Sequence, residues 1–183
     1  MFIQTEQTPN PSTLKFIPGE VVLEDGTMFF ENTGDAEQSP LAQALFKIEG
    51  VSAVFFGSDF ITVENADQDW EALKPAILGT IMEHYAAGLP IVTGEAAQEV
   101  ADDGGADPEI VEQIKELLET RVRPAVARDG GDITYHGFSD GIVYLRMQGA
   151  CSGCPSSTAT LKYGIQNLLK HYIPEVESVE PVE

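Results

Sequence analysis

The chain has 183 residues, 30 Asp and Glu against 10 Lys and Arg, a formal net charge of −20 and only two cysteines. That length allows one or two domains with a stable core, and 43% hydrophobic content argues against acidic disorder. The acidic balance argues against stand-alone binding to nucleic acid or anionic membrane, and two cysteines do not make a disulfide scaffold.

No apolar run approaches the roughly 18 residues that a membrane span needs. Met1-Phe-Ile-Gln-Thr-Glu lacks the basic start and apolar stretch of a signal peptide, and also the Arg-rich character of a transit peptide. A soluble intracellular protein is expected. The start at Met1 favours the bacterial cytoplasm, with a processed form in the mitochondrial matrix as the alternative.

Charge divides the chain. Residues 1–92 carry −11, residues 93–107 carry −5 with no base, and residues 108–183 carry −4. The middle stretch is small, acidic and almost devoid of large apolar side chains. It cannot bury enough surface to offset its ordering entropy, so it is expected to be a flexible tether between two domains, 1–92 and 108–183.

In the first domain, Phe2 to Thr8, Leu14 to Ile17 and Val21 to Phe30 have strand composition, broken by Pro9, Pro11, Pro18 and Gly26. Thr8-Pro-Asn-Pro11 reads as a stiff turn, with client docking as the lesser option. Ser39-Pro40 starts a helix with Leu41, Leu45 and Ile48 at helical spacing. Val51 to Phe56 and Phe60 to Val63 flank the hairpin signal Gly57-Ser58-Asp59. A last helix aligns Trp70, Leu73, Ile77, Ile81 and Tyr85, with Trp70 expected in the core and Pro75 expected to kink the first turns.

In the second domain, Asp107-Pro108 caps a helix striped by Ile110, Ile114, Leu117, Leu118 and Val122, predicted to end or kink before Pro124. Ile133 to Phe138 and Ile142 to Met147 alternate about Ser139-Asp140-Gly141, a second hairpin. Cys151-Ser-Gly-Cys154-Pro155 follows, then a helix with Leu161, Ile165, Leu168, Leu169 and Tyr172, then a short strand over 176–182. The fold class is therefore α+β: two small mixed α/β domains, the second in the order α-β-β-α-β.

Gly137-Phe-Ser139-Asp-Gly141 matches the nucleophile-elbow pattern literally. That motif needs a sharp strand-to-helix turn, whereas here it falls between two alternating strands, so it is read as a hairpin turn. The Cys-x-x-Cys pair is the stronger signal. A two-residue gap lets both sulfurs face one side of a tight loop, where they can bind one metal centre or form a disulfide. The following helix start, with Pro155 and a run of hydroxyl residues, favours thiolate, the form that soft metals require. The bland alternative is two incidental cysteines in a turn.

Zinc and iron–sulfur sites usually take about four ligands. The missing ones would be histidines, exogenous thiols or the same pair from a second chain. His84, His136 and His171 are each read first as ordinary surface or core histidines. A twofold-related copy would supply two more thiolates from the same loop. Asp129-Gly130-Gly131-Asp132 reads as a tight turn, with a role beside the cysteine loop as the lesser option. Arg121, Arg123 and Arg128 are expected at solvated surface, with neutralisation of a thiolate-bound cluster as the lesser reading. The acidic tether is read as a spacer before it is read as a lure for basic clients.

Residues 108–183 resemble the C-terminal domain of NifU, the Nfu domain, through Arg123-Pro-Ala-Val, Asp129-Gly-Gly-Asp-Ile133, Gly149-Ala-Cys-Ser-Gly-Cys-Pro-Ser-Ser157, Thr160-Leu, Gly164-Ile and Pro174-Glu-Val. Residues 1–92 resemble the N-terminal domain of Nfu-type iron–sulfur scaffold proteins, through Thr8-Pro-Asn-Pro-x-x-Leu-Lys-Phe16, Pro18-Gly19 and Asp69-Trp-x-x-Leu-Lys-Pro75. The resemblance implies a carrier, without turnover chemistry of its own, that assembles a [4Fe–4S] cluster between two protomers and delivers it to apo-proteins. The family's cluster-binding residues fall on Cys151 and Cys154. Implied partners are apo iron–sulfur clients, upstream assembly proteins and a second copy when loaded. Two rivals stay open: a thioredoxin-like oxidoreductase, which would expect a β-α-β unit leading into Cys-x-x-Cys, and a zinc-bridged dimerisation module.

Overall fold

A computed structural model describes residues 2–67, 69–93, 106–152 and 155–182, with backbone alone at 155–157. The chain forms two compact units, Met1–Ala97 and Gln98–Glu183. Of the expected acidic tether, 94–105 lie outside the described residues. Its described ends are both attached to structure. Thr93 donates its N–H to Gln38 O at 2.8 Å, and Asp107 caps the first helix of the second unit.

The first unit is an antiparallel five-stranded sheet built from β1 (Gln4–Gln7), β2 (Thr13–Ile17), β3 (Met28–Phe30), β4 (Ala53–Phe56) and β5 (Ile61–Glu64), in the order β1-β2-β5-β4-β3. Two helices, α1 (Pro40–Phe46) and α2 (Trp70–Ala86), contribute to its core. That core holds Phe16, Phe30, Leu41, Leu45, Phe56, Ile61, Ile77 and Ile81, all essentially inaccessible to water. Each such side chain contributes roughly 1.5–3 kcal/mol by leaving water. Phe55, which alternates with Val54 and Phe56 along β4, packs instead beside Phe29 and Phe60, with Lys15 Nζ 4.5 Å from the centre of the Phe60 ring. A Cβ at Gly57 would overlap the Phe60 ring, so this hairpin needs glycine for space.

The strand expected over Val21 to Phe30 is shorter than its composition suggests. Only Met28–Phe30 pairs with β4. Val22 and Leu23 are buried in a loop, both N–H groups bonded to Ser58 O (2.8 and 3.3 Å), and Gly26 turns the chain at φ 74°. The Ser39-Pro40 helix start holds: buried Ser39 Oγ accepts from Ala42 N–H at 3.0 Å and donates to Ile91 O at 2.6 Å. Helix α2 runs without a break through Pro75, so the proline costs it the one bond that Glu71 O would have accepted in its exposed first turn. Trp70 is half-buried rather than central; it packs at the core's edge, and its Nε1–H donates to Pro11 O at 3.2 Å. The stiff turn at 8–11 is held by Asn10, whose Oδ1 accepts from Ser12 N–H and whose carbonyl accepts from Thr13 N–H, both at 3.0 Å.

The second unit keeps the α-β-β-α-β order. Helices α3 (Pro108–Leu117) and α4 (Arg123–Arg128) lead into β6 (Gly131–Ser139) and β7 (Ile142–Gly149), then α5 (Pro155–Tyr172) and β8 (Ser178–Val182). The sheet order is β6-β7-β8, with β6 antiparallel and β8 parallel to β7. The helix does not stop before Pro124. A wide turn over Leu118–Val122 joins α3 to α4, with Arg123 N–H bonded to Leu118 O five residues back, a π-type widening that accommodates the proline that follows. Ser139 pairs with Ile142 across Asp140 (φ 51°) and Gly141 (φ 77°), so the Gly-x-Ser-x-Gly string is a type I′ hairpin turn.

Candidate metal centre

The second hairpin delivers its ends to one place. Gly131, the first residue of β6, pairs across the sheet with Gly149, the last of β7. Beyond Gly149 (φ 63°) the chain turns tightly: Cys151 N–H donates to Gln148 O (3.4 Å), Ser152 N–H to Gly149 O (3.1 Å), and Ser152 Oγ–H to the same carbonyl (2.8 Å). Ala150 N–H reaches Gly130 O at 3.2 Å, and Thr158 Oγ1–H on α5 reaches Cys151 O at 3.4 Å. These bonds fix the cysteine loop to the Asp129–Asp132 turn on one side and to the last helix on the other.

Cys151 is a free thiol, 5% exposed, packed in the core of the unit. A Cβ added at Gly131 would lie 2.5 Å from Cys151 Sγ, 2.8 Å from Gln148 O and 2.9 Å from Cys151 N. Glycine at 131 is therefore the floor on which the sulfur sits. The turn reading of Asp129–Asp132 is right at Gly130 (φ 81°), and the role beside the cysteine loop, treated as secondary from sequence, is also present at Gly131. Cys154 lies outside the described residues.

The electrostatics correct one expectation. The helix start argued for thiolate, but burial pushes the Cys151 thiol up to about 12, with the carboxylates of Asp129 and Asp132 adding to the rise. Loading a metal there must release a proton. The native state binds this proton more tightly than the unfolded chain, so the associated stability is present below the unfolded thiol's pKa and lost as pH rises toward 12. In a Cys154→Ser background, alkylation of Cys151 by iodoacetamide is expected to accelerate about tenfold per pH unit between pH 7 and 10. A plateau near pH 8.5–9 would contradict the burial.

Arg123 corrects another. It is not solvated surface: Nε and Nη2 donate to Asp132 Oδ1 and Oδ2 at 2.8 and 2.7 Å, and Nη1 pairs with Glu119. Asp132, 2% exposed, also accepts from Ile133 N–H at 2.8 Å. This pair ties α4 to the start of β6 and so braces the floor beneath Cys151. It also raises the Arg123 pKa further above its already high value. Arg121 lies over the Tyr172 ring at 5.6 Å, and Arg128 is exposed. Sequence reading missed the brace because Arg123 and Asp132 are nine positions apart in different elements; the only signal was a carboxylate flanking two glycines.

The histidines stay separate. His84 is a core histidine, its Nε2 3.1 Å from Pro90 O. His136 sits at the β6 bulge, and His171 is exposed with its ring edge-on to Tyr172. Among the described residues no group of three or more His, Cys, Asp or Glu is placed to hold a metal ion, and no helix is long and apolar enough to cross a membrane. In the first unit a groove of about 600 Å³ opens between the Thr8–Pro11 turn and the start of α2, bordered by Thr8, Pro9, Trp70 and Lys74.

Comparison with known proteins matches residues 3–88 to the family described as scaffold protein Nfu/NifU N terminal, and residues 114–180 to the NifU-like domain. Over the whole chain it is 59% identical to the human protein named "NFU1 iron-sulfur cluster scaffold homolog, mitochondrial", covering 72% of that protein. It is 54% identical over 98% of its length to "NifU-like protein 4, mitochondrial" of Arabidopsis thaliana, covering 65% of that protein. Among solved structures, a NifU-like protein from Saccharomyces cerevisiae aligns with 52% of this chain and 87% of its own, at 28% identity and TM-score 0.47.

Proposed function

Since this chain belongs to the Nfu family of NifU-like scaffold proteins, we propose that it assembles a [4Fe–4S] cluster between two protomers and passes it to apo iron–sulfur proteins. The observation that carries the reading is the cysteine loop. It holds one sulfur of a Cys-x-x-Cys pair against a glycine floor at the head of a long helix, in a chain with no third cysteine. Two thiolates leave a cluster about two ligands short, and a second copy supplies the same pair.

The chain's work is binding and release rather than turnover. Cys151 and Cys154 give up protons on loading and regain them on transfer, and the raised pKa of Cys151 favours its reprotonation once the cluster is pulled away. Separating the two protomers removes half the ligands, which makes a bridged cluster easy to hand on. Upstream assembly proteins supply iron and sulfide or a preformed cluster. The mitochondrial names of the relatives favour the mitochondrial matrix over the bacterial cytoplasm expected from the sequence. The thioredoxin-like rival is disfavoured by the antiparallel β6–β7 hairpin that precedes the motif in place of a β-α-β unit.

Replacing Cys151 or Cys154 by serine is expected to abolish cluster loading while the far-UV circular dichroism of the apo chain is kept. Undiminished iron and sulfide content in either variant would overturn the reading.

A further inference from the structure

We infer that the outward face of α5, centred on Gly164 and flanked by Tyr163, is the surface on which a second copy of this chain docks; the inference rests on the bridged-cluster reading above. Three observations converge on that face. The first is a glycine that the fold of the protomer does not require. Gly164 lies in the middle of an 18-residue helix, and a Cβ there would meet nothing within 4 Å. Glycine inside a helix is unfavourable relative to alanine, and the open space above Gly164 admits the close approach of another backbone.

The second is an exposed aromatic beside it. Tyr163 is 63% exposed, while Leu161, Ile165, Leu168 and Leu169 turn the opposite side of α5 into the core. Tyrosine supplies a large contact area with few rotors and is enriched in interface centres. Asn167 and His171 continue the exposed face at helical spacing without adding a carboxylate.

The third is charge. Each copy carries −20, so association must avoid setting carboxylate against carboxylate. Helix α5 contains no Asp or Glu over its length and carries Lys170 and His171 near its end, while its Lys162 is paired with Glu180 of the same protomer at 2.8 Å. Its first residue, Pro155, follows Cys154 directly in sequence, and eight residues of helical rise place Tyr163 about 12 Å along the axis from that start. An isologous contact along α5 therefore begins where two cysteine loops must meet to share one cluster.

The test is anaerobic iron and sulfide reconstitution of the full chain, with mass by light scattering and cluster content on each sample, for wild type, Gly164→Leu and Tyr163→Glu. Wild type is expected to double its mass on loading. Both variants are expected to stay monomeric with at least tenfold less cluster, while their apo forms keep the wild-type circular dichroism and melting temperature or exceed it. Variants that load and double like wild type would overturn the inference. Variants that dimerise normally but lose only transfer to an apo-protein would assign the face to a client, and would overturn it too. A wild-type chain that binds a cluster without doubling would instead remove the bridged-cluster reading on which the inference rests.

Discussion

Replacing Gly131 by alanine is expected to unseat Cys151 and to destabilise the C-terminal unit by about 1–3 kcal/mol, the range for an extra methyl forced into a packed site. The objection is space, since two of the three atoms that the new Cβ would meet are backbone, Gln148 O and Cys151 N, and cannot swing aside. The third is the sulfur itself, 2.5 Å away. Loop and strand must separate, and the hydrogen bond from Ala150 N–H to Gly130 O is the nearest to be strained. A thermal melt of the apo chain and the visible absorbance of the reconstituted one should both fall. Alanine tolerated with full loading and an unchanged melt would show that the sulfur does not need this floor.

Removing the Arg123 side chain is expected to cost more, about 3–5 kcal/mol, because it strands a buried carboxylate. Asp132 has only 3% of its side chain exposed and receives two bonds from the guanidinium. Arg123→Lys should recover only part of the loss, since an ammonium cannot reproduce two parallel bonds to one carboxylate. Urea unfolding followed by circular dichroism orders the three proteins: wild type, then lysine, then alanine. Equal midpoints for Arg123→Ala and wild type would mean that the pair contributes nothing to holding α4 on β6.

How much of this was legible in the sequence depends on the range of the forces involved. Ser39-Pro40, Asp107-Pro108 and Asp140-Gly141 act within a few residues, and each appears in the structure where it was expected. The apolar stripes of α3 and α5 and the alternation of β6 and β7 are equally local, which is why the α-β-β-α-β order was readable. Val22 and Leu23 mislead because burial does not require a strand; their amides bond a single carbonyl 35 or more residues away, at Ser58. The widened turn at Leu118–Val122 follows from Pro124, but the sequence could not distinguish an end from an accommodation.

At the site, the helix start and the hydroxyl residues behind it argued for a thiolate from neighbours in sequence. Burial against Gly131, with Asp129 and Asp132 close by, outweighs them, and all three come from residues about 20 positions earlier. The Arg123–Asp132 brace was hidden for the same reason: solvated surface is a fair default for an arginine until tertiary structure sets a buried carboxylate beside it. Glycine 131 stood in plain view within Asp-Gly-Gly-Asp, yet only the position of the sulfur explains why the second glycine is needed as well as the first.

The central claim is that two copies share one cluster through Cys151 and Cys154. Its most direct test is anaerobic reconstitution with iron and sulfide, reading iron, acid-labile sulfide and oligomer mass on one sample. About four irons and four sulfides per dimer, with the mass doubling on loading, is the predicted result. Zinc bound without sulfide, or no metal and a reversible disulfide between Cys151 and Cys154, would contradict it.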